Sequence, residues 1–172
     1  MRSIRNITTC AIIVLMSIFI LPAAAEETGQ WHGLGVIVVV DKKVVNLEDR
    51  PNHSVGVYEV DGAVFNSDGK LFLNKARYQV VALNDVGVNR GGYKIFTDAD
   101  GSKVFARYVI TEGKPPEYRG TFEFTGGTGK YKGITGKGTF RDVFVSDKAA
   151  WDEFVGEYKI PAPAAGADPA GK

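Results

Sequence analysis

The chain has 172 residues, 44% of them hydrophobic, with 21 basic and 20 acidic side chains and a formal net charge of +1. This near-neutral balance excludes a general electrostatic attraction to nucleic acid or to anionic lipid. The length and composition suit one globular domain with its own core.

The N-terminus has the pattern of an export signal. A short basic start precedes an almost wholly apolar segment from Ala11 to Leu21, and Ala23-Ala24-Ala25 is a small-residue cleavage site. We predict a signal peptide over residues 1–25, cleaved after Ala25, and a secreted or periplasmic protein without a membrane span after cleavage. The alternative is an uncleaved anchor, although the apolar segment is shorter than the roughly 20 residues of an ordinary span.

The predicted mature chain differs from the whole chain in charge and in cysteine content. It contains no cysteine, because the single cysteine, Cys10, lies within the signal. Loss of Arg2 and Arg5 takes the net charge from +1 to −1. We predict one domain over residues 26–160 and a disordered tail over 161–172, whose Pro, Ala and Gly residues cannot form a core.

From Trp31 onward, segments rich in Val, Ile, Phe and Tyr recur without a sustained helical period. The predicted strands are Gly33–Val40, Val44–Leu47, His53–Val60, Lys70–Asn84, Gly91–Thr97, Lys103–Thr111, Tyr118–Phe124, Gly138–Val145 and Phe154–Ile160. Turns such as Asp61-Gly62 and Asp98-Ala99-Asp100-Gly101 are typical of antiparallel hairpins. We predict an all-β fold, a single antiparallel up-and-down β-barrel of about eight strands, because closure removes exposed strand edges.

The predicted strand Lys70–Asn84 has two different faces. The expected interior face alternates large and small residues, which suits a small barrel: Phe72, Asn74, Ala76, Tyr78, Val80, Ala82 and Asn84. The outer face includes four apolar residues that would form a contact surface for a homo-oligomer if exposed together: Leu71, Leu73, Val81 and Leu83. The only segment with a helical tendency is residues 147–153, where we expect a single turn at most.

No motif for catalysis, metal binding or nucleotide binding is present. His32 and His53 are not clustered with other ligands, and the Asp98–Ser102 segment lacks the oxygen ligands of a calcium loop, so a hairpin turn explains it better. Neither Gly-Lys pair in the glycine-rich segment has the spacing of a phosphate-binding loop. We predict no catalytic residue, no metal and no cofactor.

The segment Gly126–Phe140 carries six glycines in fifteen residues, directly after the alternating Thr121-Phe122-Glu123-Phe124-Thr125. This density suits a strand that ends in a tight loop and re-enters a bent neighbour. Together with Gly91–Arg107 and Tyr118–Phe124, the segment resembles bacterial secreted proteins with an allene oxide cyclase barrel-like fold, more distantly the dirigent proteins. The resemblance implies an eight-stranded antiparallel barrel, and in plant members a lumen that steers an apolar intermediate.

Two functions follow as hypotheses. The first is a noncatalytic barrel that binds a small hydrophobic molecule in its lumen or serves a structural role. The second is a lumen isomerase or cyclase that acts on an apolar substrate, as the resemblance implies. The candidate lumen residues are Phe72, Tyr78, Asn84, Phe105 and Tyr108. Phe105 and Tyr108 have opposite parity on one strand, so only one points inward unless a bulge intervenes. If the interior is packed solid, both ligand hypotheses fail.

Overall fold

The computed structural model describes residues 25–162. The predicted signal peptide lies outside the described residues except for Ala25, and the predicted tail does so except for Pro161 and Ala162. Signal cleavage and tail disorder therefore stay predictions.

Eight antiparallel strands form a closed barrel in chain order, with the first strand hydrogen-bonded to the last. Their bounds are β1 Glu27–Asn46, β2 Ser54–Asn66, β3 Ala76–Asp85, β4 Val88–Thr97, β5 Lys103–Lys114, β6 Glu117–Gly127, β7 Thr135–Phe144 and β8 Ala149–Ile160. The predicted all-β class and the up-and-down barrel of eight strands are confirmed.

The first two predicted strands are one continuous strand. β1 pairs with β8 over residues 27–38 and with β2 over residues 33–46, and a register shift between Val39 and Asp41 bends it. A bulge lets one long strand serve two neighbours and close the barrel.

Two further boundaries differ from the prediction. Asp61 and Gly62 lie within β2 and do not form a turn, and glycine is required there because a Cβ would overlap the carbonyl oxygen of Val36. Residues 71–75 form a turn before β3 instead of the first part of a long strand. Leu73 adopts a positive φ in this turn and is fully buried, so the predicted outer contact patch does not form as proposed.

No helical turn forms at residues 147–153, where the sequence predicted a single turn at most. β8 begins at Ala149, and Trp151 is exposed whereas Asp152 and Phe154 are buried. This two-residue period, supported by pairing to both β7 and β1, overrides the helical tendency of the alanines. The only helical element in residues 25–162 is a 3-10 turn at Gly129–Tyr131.

One half of the barrel interior is filled by aromatic rings around Trp31, which is fully buried. The Phe154 ring stacks on Trp31 at a centroid distance of 4.9 Å. Four more rings lie within 6.1 Å of Trp31: Phe72, Phe96, Phe122 and Phe124. Glycine makes room for these rings, since a Cβ on Gly138 would lie 2.6 Å from the Phe122 ring. This half of the lumen has no space for a ligand.

Candidate functional site

The other half of the barrel contains a cavity of about 490 Å³. It lies at the end where the β3–β4, β5–β6 and β7–β8 connections meet, because Gly87, Pro116 and Asp147 all line it. The cavity exists because Val60, Val80 and Ala82 occupy inward positions here, and their side chains are smaller than the Trp and Phe of the packed half. Its apolar wall is formed by Ile37, Val39, Tyr58, Val60, Val80, Ala82, Tyr118 and Phe144.

The floor of the cavity holds a buried ion pair. Lys94 on β4 is 2% exposed and Asp152 on β8 is fully buried, and 3.6 Å separates the Lys94 Nζ from the Asp152 Oδ2. Tyr78 on β3 joins them: its hydroxyl accepts a hydrogen bond from the Lys94 ammonium and donates one to Asp152 Oδ2 over 2.7 Å. Burial, and then the negative charge of Asp152, raises the pKa of Tyr78 well above its usual value. Tyr78 is therefore a neutral phenol.

Aromatic rings surround the Lys94 ammonium. Four ring centroids lie 4.4 to 5.1 Å from Nζ, those of Tyr78, Tyr108, Phe140 and Phe154. A cation over ring faces at these distances is stabilised by the ring quadrupole, most strongly where water is excluded. The site therefore holds one ammonium group with a carboxylate, a phenol and four rings.

Asp142 brings a second carboxyl group to the floor. It lies directly opposite Asp152 in the β7–β8 register and is 5% exposed. Within residues 25–162, neither Asp142 Oδ1 nor Asp152 Oδ1 has a hydrogen-bond donor. Burial raises the pKa of Asp142 well above 3.8; the Lys94 charge opposes this shift, whereas the Asp152 charge and a hydrogen bond between the two carboxyl groups add to it. The raised pKa favours the protonated form of Asp142, whose O–H can then donate a hydrogen bond to Asp152.

Tyr108 and Asn89 complete the polar part of the cavity. The Tyr108 hydroxyl donates to Asn89 Oδ1 over 3.4 Å, and the same oxygen accepts the backbone N–H of Gly91 over 2.9 Å. Burial raises the pKa of Tyr108, so it also stays neutral. The cavity therefore combines apolar walls with a few polar groups at fixed positions, the usual composition of a small-molecule site.

The five candidate lumen residues have different positions. Tyr108 and Asn84 line the cavity, and the Tyr78 hydroxyl lies within the ionic cluster at its floor. Phe72 is buried in the packed half, stacked on Tyr158 at 3.8 Å. Phe105 is half-buried on the outer side of β5, because its strand parity is opposite to that of Tyr108. The inward position proposed for Phe105 is therefore wrong. Phe72 lies among packed rings away from the cavity, and a ligand role for Tyr78, Asn84 and Tyr108 stays a prediction.

Sequence reasoning missed Lys94, Asp142 and Asp152. The signal was present, since each charged residue lies two positions from an inward-facing phenylalanine: Lys94 before Phe96, Asp142 after Phe140 and Asp152 before Phe154. Residues two positions apart on a strand face the same side of the sheet. A charged residue two positions from a buried aromatic residue is therefore expected to be buried too, with a partner for its charge.

The remaining motifs have structural roles. Asp98 and Ser102 pair through the backbone at 2.9 Å, so the predicted hairpin is confirmed. Lys130 Nζ, at 2.7 Å, and the Tyr131 hydroxyl, at 2.6 Å, bind the Asp98 carboxylate and fasten the glycine-rich loop to this hairpin. Burial opposes ionisation of Asp98, but these hydrogen bonds outweigh it and lower its pKa.

Residues 25–162 contain neither a cluster of metal ligands nor a helix that could span a membrane. No group of three or more His, Cys, Asp or Glu side chains within residues 25–162 is arranged to hold a metal ion. His53 contacts Asp49 at 2.5 Å and Asp85 at 3.3 Å, and this links the β1–β2 connection to the end of β3. Over the same range, no helix has the length and hydropathy needed to cross a membrane.

No protein-family model and no curated protein matches this sequence. Among solved structures, a pterocarpan synthase dirigent protein is similar to this chain, with 19% sequence identity and a TM-score of 0.45 over 85% of this chain and 96% of that one. The barrel is established here by the strand pairing of the chain itself. The resemblance to allene oxide cyclase barrel-like proteins stays a prediction.

Proposed function

We propose that this protein binds a small, largely apolar molecule in the cavity between the open end of its barrel and the Lys94–Asp152 pair. The observation that carries the proposal is the cavity of about 490 Å³ with a buried carboxyl group, Asp142, at its floor. A barrel that served only a structural role would be more stable with this half packed as well, because filling a cavity restores dispersion contacts.

The polar floor supports binding more than a purely structural role does. A buried ion pair is often no more stable than apolar residues of the same volume, so its presence is weak evidence for stability. Its position at the end of an apolar cavity gives it a use, since a few fixed polar groups orient a ligand.

A fluorescent apolar probe tests the proposal. Nile red should bind the purified protein with a blue shift and an increase of emission, and Ala82→Phe should remove most of this increase by filling the cavity. Val81→Phe is the matched control, because the neighbouring residue points away from the lumen. Equal binding by both variants would contradict a lumen site.

Native mass spectrometry identifies the natural ligand. Protein purified from its own host should carry a copurifying small molecule that Ala82→Phe lacks. We further propose that the protein acts after export, with a mature N-terminus at Glu26, which intact-mass measurement of the same sample checks. A sample that retains residues 1–25 would contradict export with cleavage.

A second candidate function is catalysis of an isomerisation or cyclisation in the same cavity. Asp142 favours it, because a carboxyl group whose pKa is raised by burial can act as a general acid toward a bound substrate. The test is to incubate the apolar extract of the host with the wild type and with Asp142→Asn. A compound of unchanged mass but new chromatographic retention, formed only by the wild type, would establish this activity. If both proteins leave the extract unchanged, binding alone remains.

A further inference from the structure

We propose that the ligand of the cavity carries a protonated amine on an apolar body, and that its ammonium group binds between the carboxyl groups of Asp142 and Asp152. This inference rests on the proposed binding function and names the chemical class of the ligand.

The charges around the cavity favour a cation. Its lining includes three carboxyl groups, Asp142, Asp147 and Asp152, and within residues 25–162 a single basic side chain, Lys94. The Lys94 ammonium is already bound by Asp152 and Tyr78, so it has little attraction left for an anionic ligand. An anion would also approach two buried carboxyl groups, which is electrostatically unfavourable in a low-dielectric site.

The hydrogen-bonding needs of the floor favour the same ligand. Asp142 Oδ1 and Asp152 Oδ1 are both buried acceptors for which residues 25–162 provide no donor. A donor group from a ligand can satisfy both of them. An ammonium group has three N–H donors and no acceptor, so it can serve both oxygens while it neutralises the charge of an ionised Asp142.

Lys94 already places one ammonium group among the carboxyl groups and aromatic rings of this site. The protein already holds one ammonium at this floor, with four ring centroids within 5.1 Å of Nζ. The cavity above adds the rings of Tyr58, Tyr118 and Phe144, which can contact the body of a ligand or its cationic end. A second, ligand-borne ammonium beside Asp142 would repeat the carboxylate and aromatic environment of the first.

Binding of an amine should release a proton from Asp142. The titratable groups that face Asp142 are Lys94 on β4, Asp152 on β8, Tyr78 on β3, Tyr108 on β5 and, across the cavity, Tyr58 on β2, Tyr118 on β6 and Asp147 after β7. Burial raises the pKa of Tyr78, Tyr108 and Tyr118, which therefore do not titrate near neutral pH. At pH values below the raised pKa of Asp142, the affinity for an amine should rise with pH, because the fraction of molecules in which Asp142 must lose a proton becomes smaller.

Calorimetry with matched probes tests the inference. The probes are 2-phenylethylamine, 2-phenylethanol and phenylacetate, which share an apolar body and differ in charge. We expect the amine to bind the wild type about tenfold more tightly than the alcohol or better, since a charge-assisted hydrogen bond replaces a neutral one. Phenylacetate should bind most weakly. Titrations in two buffers with different ionisation enthalpies should show proton release for the amine only.

Asp142→Asn is the informative variant, because it keeps the size of the side chain and removes its ionisation. It should bind the amine no better than the alcohol, whereas Asp147→Asn at the rim should keep most of the preference for the amine. If the alcohol binds the wild type as tightly as the amine, the amine class is wrong although the binding function stands. If neither Nile red nor any of the three probes binds, the binding function itself fails. The wild-type comparison of the amine with the alcohol decides the matter even if the variant does not fold.

Discussion

Asp142 and Asp152 face each other across β7 and β8, so that two carboxyl groups share the interior of the barrel with Lys94. Both are at least 95% buried, and this burial is the main cause that raises the pKa of Asp142 well above its usual value, with the negative charge of Asp152 adding to the shift. This arrangement is open to thermodynamic test as well as to binding experiments.

Removal of the Asp142 charge should stabilise the protein in a pH-dependent manner. The pKa of Asp142 is raised from 3.8 in the unfolded chain, so the folded state binds more protons and stability falls as pH rises from 3.8 to the folded-state pKa. Each pH unit in this window costs the wild type about 1.4 kcal/mol, a cost that Asp142→Asn lacks. Urea unfolding at pH 4, 6 and 8 should show that the free energy of unfolding of the variant increases relative to that of the wild type as the pH rises. A constant difference would show that Asp142 ionises normally; the rim variant Asp147→Asn is the control.

Loss of Lys94 should be strongly destabilising. Lys94→Met leaves the buried Asp152 without a cation, which should cost about 3–5 kcal/mol in the free energy of unfolding. The double variant Lys94→Met/Asp152→Leu should recover most of this loss, because no unpaired charge then remains. Denaturant unfolding of both variants checks this, with the exposed Lys148→Met as the control. A loss below about 1 kcal/mol for Lys94→Met would contradict a tight pair.

The glycines of β7 should be needed for aromatic packing. In Gly138→Ala the new methyl would meet the Phe122 ring at 2.6 Å and also the carbonyl oxygen of Val155, which is backbone and cannot move freely. We expect a loss of about 3 kcal/mol or failure to fold. Gly126→Ala is the comparison, because its Cβ meets nothing within 4 Å and it costs only the strain of a positive φ, about 1–2 kcal/mol. Similar unfolding curves for the two variants would refute the packing described here.

The two tryptophans should report the two sides of the barrel wall. Trp31 is fully buried, and Trp151 is 44% exposed. The Trp151→Phe variant retains only Trp31, whose emission should be blue-shifted and weakly quenched by acrylamide. The Trp31→Phe variant retains only Trp151, whose emission acrylamide should quench efficiently. Both variants should be checked for folding by circular dichroism. Strong quenching of Trp31 in a folded Trp151→Phe variant would mean that the ring is not enclosed.

The sequence by itself determined the all-β class, the antiparallel meander and its closure, because these follow from a local two-residue alternation and from turns that join neighbouring strands. The inward orientation of every second residue from Ala76 to Ala82 could be predicted in the same way, since the alternation of side chains along a strand alone determines it. The alternation could not show where a strand ends, and residues 71–75 keep a strand-like pattern while forming a turn that buries Leu73.

Only the tertiary structure decided the site. Lys94 and Asp152 are 58 positions apart in the numbering, and their contact depends on barrel curvature and strand stagger, which no local pattern encodes. The same holds for the division of the lumen into a packed half and an open half, because ring volumes contributed by distant strands must be summed in space before a cavity is visible.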